Sequence, residues 1–186
     1  MQPQFDPHAS WAPLRARADA TENPLHATLL REVANHMEAE IQARHDELMA
    51  TLTEQPVYHF WRVGPENMVL EGREAVSGFY QNMFANSGEQ FHVVLDKIMV
   101  DDSGVTTEGQ VRQVYKREAL LEMGLTEIAG EQIADHPLWI SNTQLLTVWP
   151  NDGKGKLVGE DIYFGEDPFS TLSPIDESEL PSYYRL

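Results

Sequence analysis

The 186-residue sequence has no cysteine, which excludes disulfides, thiol nucleophiles and cysteine-ligated metals. Lysine is scarce too. Four scattered lysines contribute to a total of 13 Lys and Arg against 30 Asp and Glu, a formal net charge of −17. Nucleic acids and anionic membranes both demand clustered cations, so neither is an expected partner. The acidity favours solubility without naming a ligand. No apolar run approaches the length of a membrane span, and "MQPQFDPHASWAPLRAR" lacks the apolar stretch of a secretory signal. Cytoplasmic residence is the expectation. Familiar chemical signatures are also missing. "GKGK" is a lysine-bearing hairpin turn without the spacing of a phosphate loop, and neither GxSxG nor HExxH occurs. Phosphoryl transfer and serine hydrolysis are thereby dismissed.

Hydrophobic residues make up 41% of the chain and include four Trp, six Tyr and seven Phe, enough for a real core. Residues 1–24 carry four prolines and no sustained periodicity, which reads as an arm that wraps a neighbour or stays mobile. Leu25, Leu29, Val33, Met37 and Ile41 then recur every four residues, and Leu48 and Leu52 follow. That spacing predicts a long amphipathic helix, broken near Arg44–Asp46. "VYHFW" after Pro56 reads as an aromatic strand that a turn at "GPE" leads into "NMVLE". "GREAVSGFYQNMFANSG" reads as a helix closed by Gly88. Three long strands, "FHVVLDKIMV", "VTTEGQVRQVYK" and "LWISNTQLLTVW", come next, with a helical insertion over 117–134 between the last two. "NDGKG" turns the chain into a final strand, "GKLVGEDIYFGED". The expected divisions are an arm (1–24), an α+β domain (25–167) and an irregular tail (168–186).

In the final strand Glu160 and Asp161 are adjacent, so their side chains point to opposite faces. Val158, Ile162 and Phe164 share parity with Glu160, which places Glu160 on the apolar face, toward any pocket, and Asp161 with Tyr163 away from it. Desolvation raises the pKa of a carboxylate among apolar neighbours, as a general acid or base requires. The plainer reading is a structural ion pair with Arg112 or Arg73.

His59, on the aromatic strand with Val57 and Trp61, and His92, opening "HVVLDKIMV", are candidate proton carriers. For both, the plainer reading is a hydrogen-bonded core histidine. If His92 faces the pocket, Asp96 shares that face under strict alternation unless a bulge intervenes. Trp61, Phe79, Tyr80, Trp139, Tyr163 and Phe164 would line a pocket for an aromatic or polycyclic molecule, though such rings are more often simply core. Asn142, with Gln144, could hydrogen-bond a carbonyl or hydroxyl, and Arg112 is a further binding candidate. His36 and Glu40, spaced i, i+4, could share a metal. With no compact His/Asp cluster in the sequence, no metal and no other cofactor are expected.

"HDELMATLTEQPVYHFW", "GREAVSGFY" and "GKLVGEDIYFGED", in that order and spacing, resemble the SnoaL-like branch of the superfamily that includes nuclear transport factor two, ketosteroid isomerase, scytalone dehydratase and limonene epoxide hydrolase. The resemblance covers most of residues 25–167. It implies a cone-shaped, cystatin-like α+β fold, with a strongly curved, mostly antiparallel sheet wrapped around N-terminal helices. It also implies a homodimer or homotrimer and cofactor-free acid–base chemistry on a hydrophobic small molecule. The isomerase carboxylates are absent, since their positions fall near His59–Trp61 and at Leu145 or Leu146. Of the dehydratase pair, His92 resembles the histidine, but the aspartate position reads about Gln42. A lyase of the dehydration or retro-aldol type is therefore the leading expectation. An isomerase or cyclase is an alternative. So is an epoxide hydrolase built on Glu160, Arg112 and Glu108, or a binding or assembly module without catalysis.

Overall fold

The structure is a computed structural model and describes residues 5–61 and 68–180. Helix α1 (Ala12–Asp19) follows a 3₁₀ turn at Pro7–Ser10. The expected arm is thus partly helical. Its few large apolar residues, Trp11 and Leu14 among them, are spent on packing against α2 (Pro24–Ile41) rather than on a visible periodicity. Asn23 caps α2, its side chain accepting the Leu25 amide at 2.9 Å, and Pro24 supplies the first helical position, where no N–H is needed. Leu29, Leu30, Val33, Ala34 and Met37 give α2 its buried face, each large aliphatic side chain contributing about 1.5–3 kcal/mol of transfer free energy. The helix ends at Ile41, Ala43 (φ 52°) turns the chain, and α3 (His45–Ala50) restarts, so the break falls close to where the sequence predicts one.

Strand β1 (Leu52–Trp61) and strand β2 (Met68–Glu71) pair antiparallel; the "GPE" turn between them lies outside the described residues. Helix α4 (Gly72–Ala85) precedes β3 (Phe91–Asp101) and β4 (Gly104–Lys116). The 117–134 insertion is helical only over α5 (Arg117–Glu122). Gly124 (φ 84°) ends that helix, and Ala129–Gly130, both at positive φ, turn the two-residue strands β5 (Glu127–Ile128) and β6 (Glu131–Gln132) into a small hairpin. Strands β7 (Leu138–Pro150) and β8 (Leu157–Phe164) follow. The tail packs irregularly through a 3₁₀ turn at Pro168–Thr171 and β9 (Ser173–Pro174), which pairs with β7.

The main sheet runs β2-β1-β8-β7-β4-β3, antiparallel except for β1 beside β8. Two bulges bend it. Asp96 is an extra residue opposite Leu95↔Gly109 and Lys97↔Glu108. A Cβ on Gly109 would lie 2.1 Å from the Val94 carbonyl oxygen, so glycine permits this approach. The second bulge separates Leu52↔Leu157 from Val57↔Gly159. Gly159 (φ 148°) sits where a Cβ would meet the Val57 oxygen at 1.7 Å. The result is an α+β cone, its strongly curved, mostly antiparallel sheet closing around α2 and α4. The main core fills the concave side.

Candidate active site

The bulge at Gly159 resets the alternation of β8. Leu157 is buried, and beyond the bulge Glu160, Ile162 and Phe164 face the concave side, while Asp161 and Tyr163 face outward. Glu160 retains only 5% exposure. Tyr58 is its register partner on β1, α4 contributes Tyr80, and α2 contributes His36. All three are essentially inaccessible.

The hydrogen bonds in this cluster constrain one another. Thr51 Oγ1 donates to the Leu48 carbonyl at 2.7 Å. A hydroxyl carries one hydrogen, so Thr51 must accept from His36 Nδ1, 2.6 Å away. That fixes the proton on Nδ1 and leaves Nε2 facing Glu160 Oε1 at 3.1 Å. That contact lacks hydrogen-bond geometry, and the hydrogen-bond partners of Nε2 are the hydroxyls of Tyr80 at 3.1 Å and Tyr58 at 3.3 Å, which tie His36 to the carboxylate. Tyr80 donates to the same Oε1 at 3.1 Å, and the Tyr58 hydroxyl lies 3.3 Å from His36 Nε2 and 3.2 Å from that of Tyr80. Burial first, then the charge of Glu160, pushes both phenols well above the usual tyrosine range. They therefore remain neutral donors at physiological pH.

Tyr80 and Glu160 line a cavity of about 350 Å³ together with Phe60, Phe79, Phe91, Trp149 and Phe164. Glu40, one turn beyond His36 on α2, lines it as well. Burial first, then Glu160, raises its carboxyl well above the ordinary value. Thr107, Gln113, Thr147 and Asn82 add neutral polar groups. Among the described residues, no group of three His, Cys, Asp or Glu is placed to hold a metal ion.

Of the residues singled out from sequence for catalysis or substrate binding, Glu160, Phe79, Tyr80 and Phe164 meet at this cavity. The others lie elsewhere. His59, Trp61 and Tyr163 form a ladder on the outer face of the sheet. His59 Nδ1 is 2.7 Å from Asp161 Oδ1, and Trp61 stacks between His59 and Tyr163, with ring centroids 5.5 and 5.8 Å away. His92 is also turned outward, because Phe91, Val93 and Leu95 take the cavity side of β3. It lies buried under Phe5, stacked at 4.2 Å, and its Nδ1 accepts the Asp6 amide at 2.8 Å. Burial, then Arg112, holds its pKa down at about 4.

Arg112 donates to Asn142 at 3.4 Å, a pair on the outer side, since Val111, Gln113, Leu145, Thr147 and Trp149 face the cavity. Glu108 is outward too, bonded to Lys97 at 2.7 Å, so no Glu160–Arg112–Glu108 set forms. Trp139 belongs to a separate core with Leu120, Ile133 and Leu172. Sequence reasoning weighed His36 and Glu40 only as a metal pair. The signal that could have promoted them was their place on the same α2 face as Val33 and Met37.

The model of the SnoaL-like domain family matches residues 33–136. No curated protein matches the chain. Among solved structures, a protein from Shewanella putrefaciens CN-32 named as a SnoaL-like polyketide cyclase is 13% identical, with a TM-score of 0.60 over 86% of this chain and 90% of its own. One of the same description from Jannaschia sp. CCS1 is 14% identical, with a TM-score of 0.57 over 78% and 90%. A limonene-epoxide-hydrolase-like epoxide hydrolase of M. tuberculosis is 17% identical, with a TM-score of 0.52 over 75% and 84%. At these identities the likeness is one of fold.

Proposed function

The chain belongs to the SnoaL-like family, and on that premise we propose that it is a cofactor-independent enzyme that moves protons on a hydrophobic, aromatic or polycyclic molecule held in the cavity. The observation that carries this reading is a buried carboxyl group, Glu160, in contact with His36 and the Tyr80 hydroxyl beneath an apolar chamber. Glu160 takes a proton from a substrate carbon; His36 behind it and the Tyr80 hydroxyl above it steady the carboxylate in each protonation state. Once Glu160 is protonated, the Tyr80 hydrogen is free to turn toward a substrate oxygen. One proton removed and one hydrogen delivered serve dehydration, retro-aldol cleavage and double-bond migration alike, and a lyase is the preferred reading. His59 and His92 have no part in it.

A second reading, epoxide opening or cyclisation, is favoured by Glu40, which would put a second carboxyl group on the same cavity to work with a water activated by Glu160. The family relatives named as cyclases and epoxide hydrolases are compatible with it. The outer face of the sheet, where Val69, Met99 and Tyr163 are exposed, supports a homodimer or homotrimer. Among the described residues no helix is long and apolar enough to cross a membrane, and cytoplasmic residence is part of the same proposal.

The test is a thermal-shift screen of aromatic diols and ketones, steroids, polyketide-like rings and terpene epoxides, followed by turnover of each hit by Glu160→Gln. Stabilisation by a hit that the wild type converts and the variant binds but leaves unconverted is expected. Full turnover by the variant would remove Glu160 from the chemistry. Unconverted hits throughout would favour a binding module.

A further inference from the structure

The cavity has an unbalanced charge inventory. Glu160 has His36 at 3.1 Å and the Tyr80 hydroxyl as a donor, but Glu40 has no such counterpart. Among the described residues no Lys, Arg or His lines the chamber, and the Glu40 carboxyl has neither a hydrogen bond nor an ion pair. The titratable groups facing it are Glu160 on β8 and the phenols of Tyr58 on β1 and Tyr80 on α4. His36 lies one turn back on its own helix. Every one of these is neutral, negative or already paired. An ionised Glu40 therefore lacks a counter-ion, and burial favours its protonated form until a cation arrives from outside.

The remaining walls suit such a cation. Phe60, Phe79, Tyr80, Phe91, Trp149 and Phe164 surround the chamber, with Phe60–Phe79 and Phe79–Tyr80 centroids each 5.3 Å apart. Aromatic faces attract ammonium groups, most strongly where water is excluded. An anionic ligand would meet two carboxyl groups and, among the described residues, no positive charge. We propose that the molecule bound here carries a protonated amine on its hydrophobic frame, with the Glu40 carboxylate as counter-ion and the aromatic walls as its cage. This rests on the reading of the cavity as the substrate site and narrows its substrate class to basic amines. Binding then exchanges one positive charge for another, since Glu40 releases its proton to solvent as the ammonium enters.

Three indoles of nearly equal size separate the possibilities: tryptamine, tryptophol and indole-3-propionate. Calorimetry at pH 7.5, in two buffers of different ionisation enthalpy, reads affinity and proton exchange together. Tryptamine should bind at least tenfold more tightly than tryptophol, with release of up to one proton. Indole-3-propionate should bind least. Glu40→Gln should abolish both the preference and the proton release while still binding tryptophol. That last measurement shows that the variant is folded and its cavity intact. Equal affinity for tryptamine and tryptophol overturns the amine proposal and leaves the acid–base reading in place. Amine preference that persists in Glu40→Gln assigns the effect to the acidic surface and overturns it as well. No saturable binding of any of the three removes both the proposal and the cavity reading beneath it.

Discussion

Two histidine–carboxylate pairs lie on opposite sides of β8, built from neighbouring acids. Glu160 meets His36 at 3.1 Å on the concave side, and Asp161 meets His59 at 2.7 Å on the outer side. The outer contact is the shorter one, yet its partners keep 34% and 31% side-chain exposure, whereas the inner pair keeps 0% and 6%. Water screens the outer pair, which leaves it worth roughly 0–1 kcal/mol. The inner pair has lost that screening, and its charges are held by two phenols and by a histidine whose tautomer Thr51 dictates. Environment, not contact length, separates the group suited to chemistry from the one suited to the surface.

The sharpest way to break this comparison is to neutralise each acid in turn. Glu160→Gln should lower turnover of any identified substrate by about 10²–10⁴-fold with the fold retained, while Asp161→Asn stays within about twofold. Equal losses would show that the two pairs do not differ as described. The histidines extend the test to stability. His36→Ala strands a buried carboxylate and should cost about 3 kcal/mol in urea unfolding, against less than about 1 kcal/mol for His59→Ala.

A third histidine sharpens it through pH. His92, held at about 4 in the folded protein against an ordinary 6.5, takes up its proton in the unfolded chain first. Stability should therefore fall as pH drops from about 6.5 toward 4, by up to roughly 3 kcal/mol, and His92→Phe should flatten that limb. Glu40 has the opposite sign. Its raised value means the folded state holds the proton longer, so stability falls as pH rises from the ordinary carboxylate range toward that value. Glu40→Gln should remove this loss, so that the variant gains stability relative to the wild type as pH rises, measured by thermal or urea unfolding.

Much of the cone was legible in the chain. The four-residue recurrence from Leu25 to Ile41 marks α2, and the meander follows from its turn residues. Glu160 does share the cavity face with Ile162 and Phe164, as the parity that sets Asp161 and Tyr163 apart suggested. Val158, counted on that face from the sequence, does not line the cavity, because the bulge at Gly159 breaks the alternation between them. Strand β7 offered no such contrast. Leu145 and Trp149 face the cavity, but Leu146 and Val148 on the outer face are apolar too, so alternation could not say which side held Asn142. On β1, Tyr58 and Phe60 point inward while His59 and Trp61 are just as aromatic, and the same ambiguity arises. The partnership of His36 with Thr51 and Glu160 spans three elements distant in sequence. Local pattern carries no trace of it, because only closure of the sheet over α2 creates it.

The claim at the centre of this account, a His36 ring held with its hydrogen on Nδ1 and its Nε2 turned to the Glu160 cluster, can be tested without knowing any substrate. Nitrogen-15 NMR of the histidine rings from pH 5 to 9, in the wild type and in Glu160→Gln, reads the protonation of each nitrogen directly. The account predicts that His36 Nδ1 keeps its hydrogen throughout and that the Nε2 signal changes markedly on Glu160→Gln, while His59 is unaffected. A His36 ring protonated on Nε2 with a bare Nδ1, or one indifferent to the loss of Glu160, would contradict it.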